Sequence, residues 1–463
     1  MNKSLDDFFA QEIAEYSLSV IENRAIPSVI DGLKPSQRKV LCEAFNIWGS
    51  GNNPLKVFQF GGRVASNMMY VHGDMSLNAC ISTMCQRFVN PYPLLEGVGQ
   101  FGSLRVRECG SPRYVGCHLS DIARSVYVDS DICERRVEEG EVVEPYSYIP
   151  ILPVLLLNGC SGIATGFACN ILPYSLKDVA DSCKSYVKSR KDGKKSWKNK
   201  VDMKPSIPQW CGDVVRVKDK DGREKWSFNG KYHINECRKK DCVEIEIDEF
   251  SKDKEYSSYE KGLQKLVSEN DNFVSWSSDK RGDETVYKII AKSDFVEDKG
   301  NADKLRKLLM LDSTETELFV TLDECGKLKI FDGVDDIVKY FCDYRLSMYD
   351  KIIEKRVGEL ESKHLVLRNK VKFITEKDLD KVLKGKKRDE VVAYLKKNKY
   401  DEHEGGYSYL LSMNFLNRTK EKADEMVAQL EKLEKQIDEL KKTDKYEMFI
   451  NGIDACYNVL KKM

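Results

Sequence analysis

Hydrophobic and polar positions change rhythm twice along the chain. Up to about residue 175, helical periods are broken repeatedly by Gly and Pro. From about 176 to 340, short strand-like runs (CVEIEI, ETVYKIIAK, TELFVTL, KLKIF) alternate with charged turns, an α+β pattern. Beyond about 341 the pattern is strongly helical. There Ile353, Val357, Leu360, His364, Leu367, Val371 and Ile374 keep a 4-3-4-3-4-3 spacing, and Ala423, Met426, Leu430, Leu433, Ile437 and Leu440 repeat that rhythm. With about 48 residues between them, the two stretches fit an antiparallel coiled-coil arm carrying a small helical cap, and equally fit two amphipathic helices in a bundle. His364 reads as a tolerated core histidine rather than a ligand. The expected fold class is α+β and multidomain, with regions at 1–175, 176–340 and 341–463.

Composition narrows the class. A chain of 463 residues with 41% apolar and 32% charged residues has material for several folded cores. No run approaches the roughly 20 apolar residues of a membrane helix, and the acidic, amphipathic start MNKSLDDFFAQEIAEYS is unlike a secretion signal. An intracellular, cytoplasmic protein is the expectation, with no membrane partner. Fifteen cysteines without a CxxC read as reduced thiols, Cys237 and Cys242 being only a weak hint of a metal pair.

Net charge is zero, 75 basic against 75 acidic residues, so charge informs only locally. Arg24, Lys34, Arg38 and Lys39 stand against one acid, Asp31, and could line a phosphate-binding surface or a solvated helix face. Nine basic and two acidic residues between Lys184 and Lys204 suggest an exposed loop, able to touch DNA or merely to keep the surface soluble.

Three clusters in the first region carry chemistry. RAIPSVIDGLKPSQRKVL, residues 24–41, sets two turns before a helix expected to begin near Ser36, so that basic side chains and helix N-terminal amides can converge on phosphate oxygens. Tyr70, Val71, His72, Gly73 and Asp74 precede the helical pattern SLNACISTMCQRFV. A histidine there is either a structural turn residue or a phosphate donor and proton shuttle. In QFGSLRVRECGSPRYV, residues 100–115, Arg113 adjoins Tyr114 in a Gly/Ser/Pro loop near Arg105 and Arg107. A tyrosine can attack phosphorus while a guanidinium offsets charge on the non-bridging oxygens, although an isolated Arg-Tyr pair is usually without function.

The order of these clusters adds what none gives alone. NRAIPSVIDGLKPSQRKVL, HGDMSL, GQFGS, SPRY and IPILPVLLLNGCSGIATGFA resemble, in that order, the breakage-reunion core of type IIA DNA topoisomerases. The resemblance continues through LFVTLDECGKLKIFDGVDDIVKYFCDYRLSMYDKI, YSYLLSMNFLNRTKEK and MFINGIDACY. It implies a winged-helix DNA-gate domain, an α/β tower and a coiled-coil arm with a C-gate cap. Position by position it implies Tyr114 as the DNA-attacking nucleophile and Arg113 as its transition-state stabiliser. Arg24, Lys34 and His72 match positions that hold scissile-strand phosphates, with His72 assisting proton transfer, and Ile163 matches a wedge between bases. Arg38, Lys39, Tyr70 and Arg105 complete the expected DNA surface. Tyr70 stands where bacterial relatives often carry another histidine, and Met75 and Ala79 replace a serine and an acid used there in quinolone binding.

The family also needs ATP and Mg²⁺. The chain shows no GxxxxGK loop and no acidic motif in a strand context suited to Mg²⁺; Asp335-Asp336 and Asp129-Ser130-Asp131 qualify only superficially, and Asp129 and Asp131, in an acidic linker after the tyrosine, read as solvated. The expected partners are therefore double-stranded DNA, a second copy of the chain through a C-gate, and a separate ATPase/Toprim subunit that binds both cofactors in a heterotetramer. The compact layout resembles the split enzymes of large phages, and without a DNA-wrapping domain it implies relaxation and decatenation rather than supercoiling. A clamp that kept the fold and lost the chemistry is the alternative, and a nuclease without strand passage a third reading.

Overall fold

The computed structural model describes residues 5–49, 51–281, 284–376, 387–403, 405–413 and 420–462. Residues 1–4 of the amphipathic start and 414–419 of YSYLLSMNFLNRTKEK lie outside them. The chain forms two compact units, Met1–Arg345 with Ile450–Met463, and Leu346–Phe449.

In the first unit, α1 (Leu5–Val20) runs into a π-helical turn, Ile21–Ala25, closed by Ile26 N donating to the Ile21 carbonyl at 3.4 Å. Next come α2 (Pro35–Trp48), β1 (Leu55–Lys56), α3 (Val57–Asn67), α4 (Asp74–Cys85), β2 (Leu95–Val98) and β3 (Gly116–Leu119). Pro35 opens α2 where its missing N–H costs nothing, and the Gln37 side chain accepts from Lys34 N at 2.9 Å. Buried Val40, Leu41 and Ala44 on α2, Phe60 and Val64 on α3, and Leu77 and Ile81 on α4 form the apolar faces of these packed helices, beside an antiparallel sheet ordered β1-β3-β2. The helix expected over SLNACISTMCQRFV starts two residues earlier and ends at Cys85, Gln86 turning extended.

After α5 (Asp121–Val126) follow the hairpin β4 (Arg135–Glu138) and β5 (Glu141–Pro145), α6 (Val154–Asn158), the hairpin β6 (Cys160–Ala164) and β7 (Phe167–Ile171), and α7 (Leu176–Lys191). Because α7 reaches Lys191, the first eight residues of the basic 184–204 run are helical, not loop. Several of its cations are ion-paired: Lys184 with Asp181 and Asp454, Arg190 with Asp343, Lys194 with Asp192, Lys204 with Asp202.

The strand-rich region holds β8 (Asp213–Lys218), β9 (Glu224–Asn229), β10 (Lys231–Glu236), β11 (Cys242–Glu249), α8 (Tyr256–Glu269), β12 (Phe273–Arg281) and β13 (Glu284–Lys292). The order β10-β11-β13-β12 is antiparallel throughout. In β11 the alternation of CVEIEI buries Val243, Ile245 and Ile247 in one core with Tyr259, Leu263 and Leu266 of α8. Of TELFVTL only Val320–Leu322 is a strand, paired with Leu328–Ile330.

Asp129, expected in solvent, is instead 1% exposed and ion-paired with the equally buried Arg345, whose guanidinium also donates to the Ile149 carbonyl at 2.5 Å. A buried carboxylate keeps its charge only beside such a cation. Asp335 accepts from Asn199 at 2.9 Å, and Asp336 pairs with Lys339.

In the second unit, the helix Val334–Thr375 continues beyond Arg345 and lies antiparallel to the helix Lys420–Lys442: Lys441 pairs with Glu361 and, further along, Glu434 with His364 at 2.9 Å. Ala423 and Ile437 are buried and Met426, Leu430, Leu433 and Leu440 half-buried, on a helix whose other described side chains are almost all exposed. His364 thus sits at the seam's edge with a carboxylate partner. Phe373, Val391, Leu395, Tyr400, Tyr407 and Leu410 form a separate small core.

Candidate functional site

Arg24 lies in the π-helical turn, exposed beside buried Ala25. Its position depends on the β6–β7 hairpin. A Cβ on Gly162 would lie 2.0 Å from the Ala25 carbonyl oxygen and 3.3 Å from Lys34 Nζ, so only glycine permits this approach. Lys34 Nζ donates to the Ser161 carbonyl at 2.6 Å. Two motifs distant in sequence therefore meet, and Ile163, next in the strand, projects with 85% of its surface in solvent. The structure brings together Arg24, Lys34 and Ile163: two cations and an unsupported apolar side chain on one surface.

Arg38 and Lys39 do not join them, which corrects the expectation of a basic helix face. Arg38 is buried and binds fully buried Asp31 through two bonds, Nε to Oδ2 at 2.7 Å and Nη2 to Oδ1 at 3.0 Å. Burial alone would lower the guanidinium's pKa, but the Asp31 charge and hydrogen bonds outweigh it and the net shift is upward. Asp31 also accepts from Leu33 N and Tyr148 N, and its carbonyl from the Tyr127 hydroxyl. This network fixes the turn at Gly32 (φ 72°), where a Cβ would meet Leu155 N at 2.5 Å, and so aims Lys34. Lys39 Nζ is likewise engaged with the Met68 carbonyl and with Glu138 and Glu144.

Tyr114 occupies a turn held by main-chain bonds. Tyr114 N donates to Ser111 O at 2.8 Å, and at the start of α3 Val57 N donates to Val115 O and Phe58 N to Pro112 O, each at 3.1 Å. These are amides that a helix leaves without internal partners. Lys56 Nζ donates to the Tyr114 carbonyl at 2.6 Å. The phenol stands 78% exposed, beside exposed Arg113, whose guanidinium lies 6.0 Å from the Phe58 ring centre. Lys56 and Phe58 were missed by sequence reasoning; their one signal, LKVFQF across the start of a helix, is indistinguishable from ordinary amphipathicity.

Arg105 turns inward, a second correction. Its guanidinium pairs with Glu249, donates to the carbonyls of Ser251, Phe250 and Lys254, and stacks 3.6 Å over the Phe250 ring. Arg107 donates to the Lys252 carbonyl at 2.9 Å. The loop before Tyr114 is thereby pinned to the strand-rich region.

Tyr70 and His72 lie at the other end of α3, their rings edge-to-face with centres 5.5 Å apart, His72 exposed and followed by Gly73 at φ 85°. An eleven-residue helix separates this turn from the Tyr114 turn, about 16 Å at 1.5 Å per residue. Met75, at the start of α4, is 83% exposed.

Exposed Tyr114, Arg113 and His72 stand around a helical core with Ile163 projecting alongside, and comparison with known proteins gives the class. The family model for the DNA gyrase/topoisomerase IV A-subunit matches residues 24–454, and the chain belongs to that family of type II topoisomerases. It is 30% identical over 449 residues to the DNA topoisomerase medium subunit of Enterobacteria phage T4, covering 96% of each chain. It is 28% identical over 502 residues to human DNA topoisomerase 2-beta, covering 99% of this chain but 30% of that protein. The Plasmodium falciparum topoisomerase II DNA-binding, cleavage and re-ligation domain superposes with a TM-score of 0.83 at 27% identity, covering 98% of this chain and 64% of that one.

Proposed function

We propose that this chain cuts and rejoins duplex DNA for an ATP-dependent type II topoisomerase, with Tyr114 as the nucleophile. The observation that carries this reading is the Tyr114 turn: a solvent-facing phenol next to an exposed arginine, placed by backbone bonds to the start of α3. The phenolic oxygen attacks phosphorus, the bond from phosphorus to the 3′ oxygen breaks, and the 3′ hydroxyl gains a proton as the phenol loses one. A 5′-phosphotyrosyl ester results, and resealing is the same exchange reversed. Arg113 offsets charge on the non-bridging oxygens, and His72 carries a proton. Arg24 and Lys34 hold strand phosphates, and Ile163 enters the base stack to bend the duplex.

Two copies related by a two-fold axis cut both strands, and the α3 separation suits such pairing, since it sets the nucleophile and the histidine turn apart within one chain. A second duplex passes through the break and leaves between the antiparallel helix pairs, whose small cores would close an exit gate. Relaxation and decatenation are the expected reactions. ATP and Mg²⁺ are assigned to a partner subunit, with which the chain forms a heterotetramer.

The test is covalent trapping. The chain and Mg²⁺ are mixed with an ATPase/Toprim subunit plus end-labelled duplex, denatured in detergent and examined for protein-linked DNA. Label should attach to 5′ ends and vanish in Tyr114→Phe. Equal trapping by the mutant, or none with a verified partner, would leave only a DNA-binding clamp.

A further inference from the structure

The base of the β6–β7 hairpin holds chemistry that strand cleavage does not use. Cys160 opens β6, half-buried, and lines a cavity of about 320 Å³ together with Lys34, Gln37, Thr83, Asn90 and Leu172. Cys169 lies on the paired strand. The ladder places Cys160 opposite Ile171 and Cys169 opposite Gly162, so both thiols share one face as diagonal neighbours. The Cys169 thiol donates to the Cys160 carbonyl at 3.7 Å and is also within hydrogen-bond reach of the Cys160 side chain. The Lys34 ammonium is held one residue away on the Ser161 carbonyl at 2.6 Å.

We propose that Cys160 is a nucleophilic modification site, which takes a small uncharged electrophile of the α,β-unsaturated carbonyl class into the cavity beside Lys34. The Cys160 sulfur attacks the β-carbon, a C–S bond forms, and the π pair moves to the α-carbon. That carbon takes a proton from water, and the thiol proton has already passed to solvent. No electron is gained or lost overall. Three features suit this reaction. A thiol donor on the paired strand and a cation on the same cavity wall favour the thiolate; the cavity admits the reagent; and apolar Leu33, Met84, Val89 and Leu94 on its walls suit an uncharged body. The thiol's pKa moves accordingly: the Cys169 hydrogen bond lowers it, burial opposes, and Lys34 adds to the lowering. Burial pushes Cys80, Cys133 and Cys456 the other way, to about 12.

The inference stands whether or not Tyr114 cuts DNA, because its test reads a mass rather than an activity. The intact chain is treated with N-ethylmaleimide between pH 5.5 and 9, quenched at intervals, digested, and each cysteine's adduct is quantified by mass spectrometry. Exposed Cys211 and Cys325 are the internal standards. At pH 6.5 Cys160 should react severalfold faster than either, the mark of an activated thiol. Its pH profile should shift upward in Cys169→Ala and return in Cys169→Ser, which keeps a hydrogen donor. Lys34→Gln should shift it upward by a smaller step. Labelling of Cys160 no faster than Cys211 at any pH, or a profile unmoved by Cys169→Ala in a protein of unchanged circular dichroism, would overturn the proposal.

Discussion

At the scale of single residues, the same amino acid does opposite things a few positions apart. Arg24 faces solvent, whereas Arg38 neutralises a carboxylate that water never reaches. Removing the partner of a buried charge costs about 3–5 kcal/mol, while an exposed arginine is worth little to folding. Arg38→Ala should therefore lower the urea midpoint by an amount corresponding to about 3–5 kcal/mol, with Arg24→Ala within about 0.5 kcal/mol of wild type. Comparable losses in both would show that Asp31 does not depend on Arg38. Lys56 makes a finer case, since its ammonium donates to the carbonyl of Tyr114. Lys56→Met keeps the stem and loses the donor. It should slow single-turnover strand cleavage about tenfold, the worth of a loosened reacting group, and leave duplex affinity unchanged, with Lys56→Arg recovering the rate. Affinity falling in step with rate would make Lys56 a phosphate contact instead.

At the scale of elements, periodicity told more than charge. Ala423, Met426, Leu430, Leu433, Ile437 and Leu440 were readable because each sits on one stripe of a regular helix, and that stripe is the covered one. Likewise CVEIEI alternated as a strand with one buried face must. Arg38, Lys39 and Arg105 could not be read this way. Lys39 and Arg105 find their partners Glu138, Glu144 and Glu249 about a hundred or more residues along the chain, and no local rule says whether a cation points in or out. Asp129 misled for the same reason, its partner Arg345 being 216 residues distant. The Tyr114, Arg113, Lys34 and Ile163 motifs were legible through their order, not through their chemistry. The contact of Gly162 with Ala25 was invisible in sequence and is the firmest tie between two of those motifs. Gly162→Ala should force the hairpin off the π-helical turn and weaken duplex binding by about tenfold or more. Gly166→Ala, with open space around its Cβ and φ of 80°, should cost only the strain of that backbone, about 1–2 kcal/mol, and spare binding. Equal binding by both proteins would mean that the hairpin and turn act independently.

At the scale of the molecule, zero net charge means that DNA must be held by a few placed cations rather than by a general field. In binding measured from 50 to 200 mM salt, Arg24→Gln and Lys34→Gln should each flatten the slope of log affinity against log salt by about 0.9, one phosphate apiece. An unchanged slope would remove that residue from the interface. Lys194 and Lys204 in the basic stretch are already ion-paired with Asp192 and Asp202, so glutamine at both together should leave the slope where it was.

The bonds that place Tyr114 run from main chain to main chain, from Val57 and Phe58 to Val115 and Pro112. Such bonds are blind to which side chains the participating residues carry. Apart from Lys56, whose side chain also holds the Tyr114 carbonyl, neighbours of the nucleophile can therefore drift without loss of these bonds. An inhibitor that grips those neighbours meets a surface free to change, whereas one that reads the carbonyls and amides of the turn meets groups that no substitution short of proline can remove.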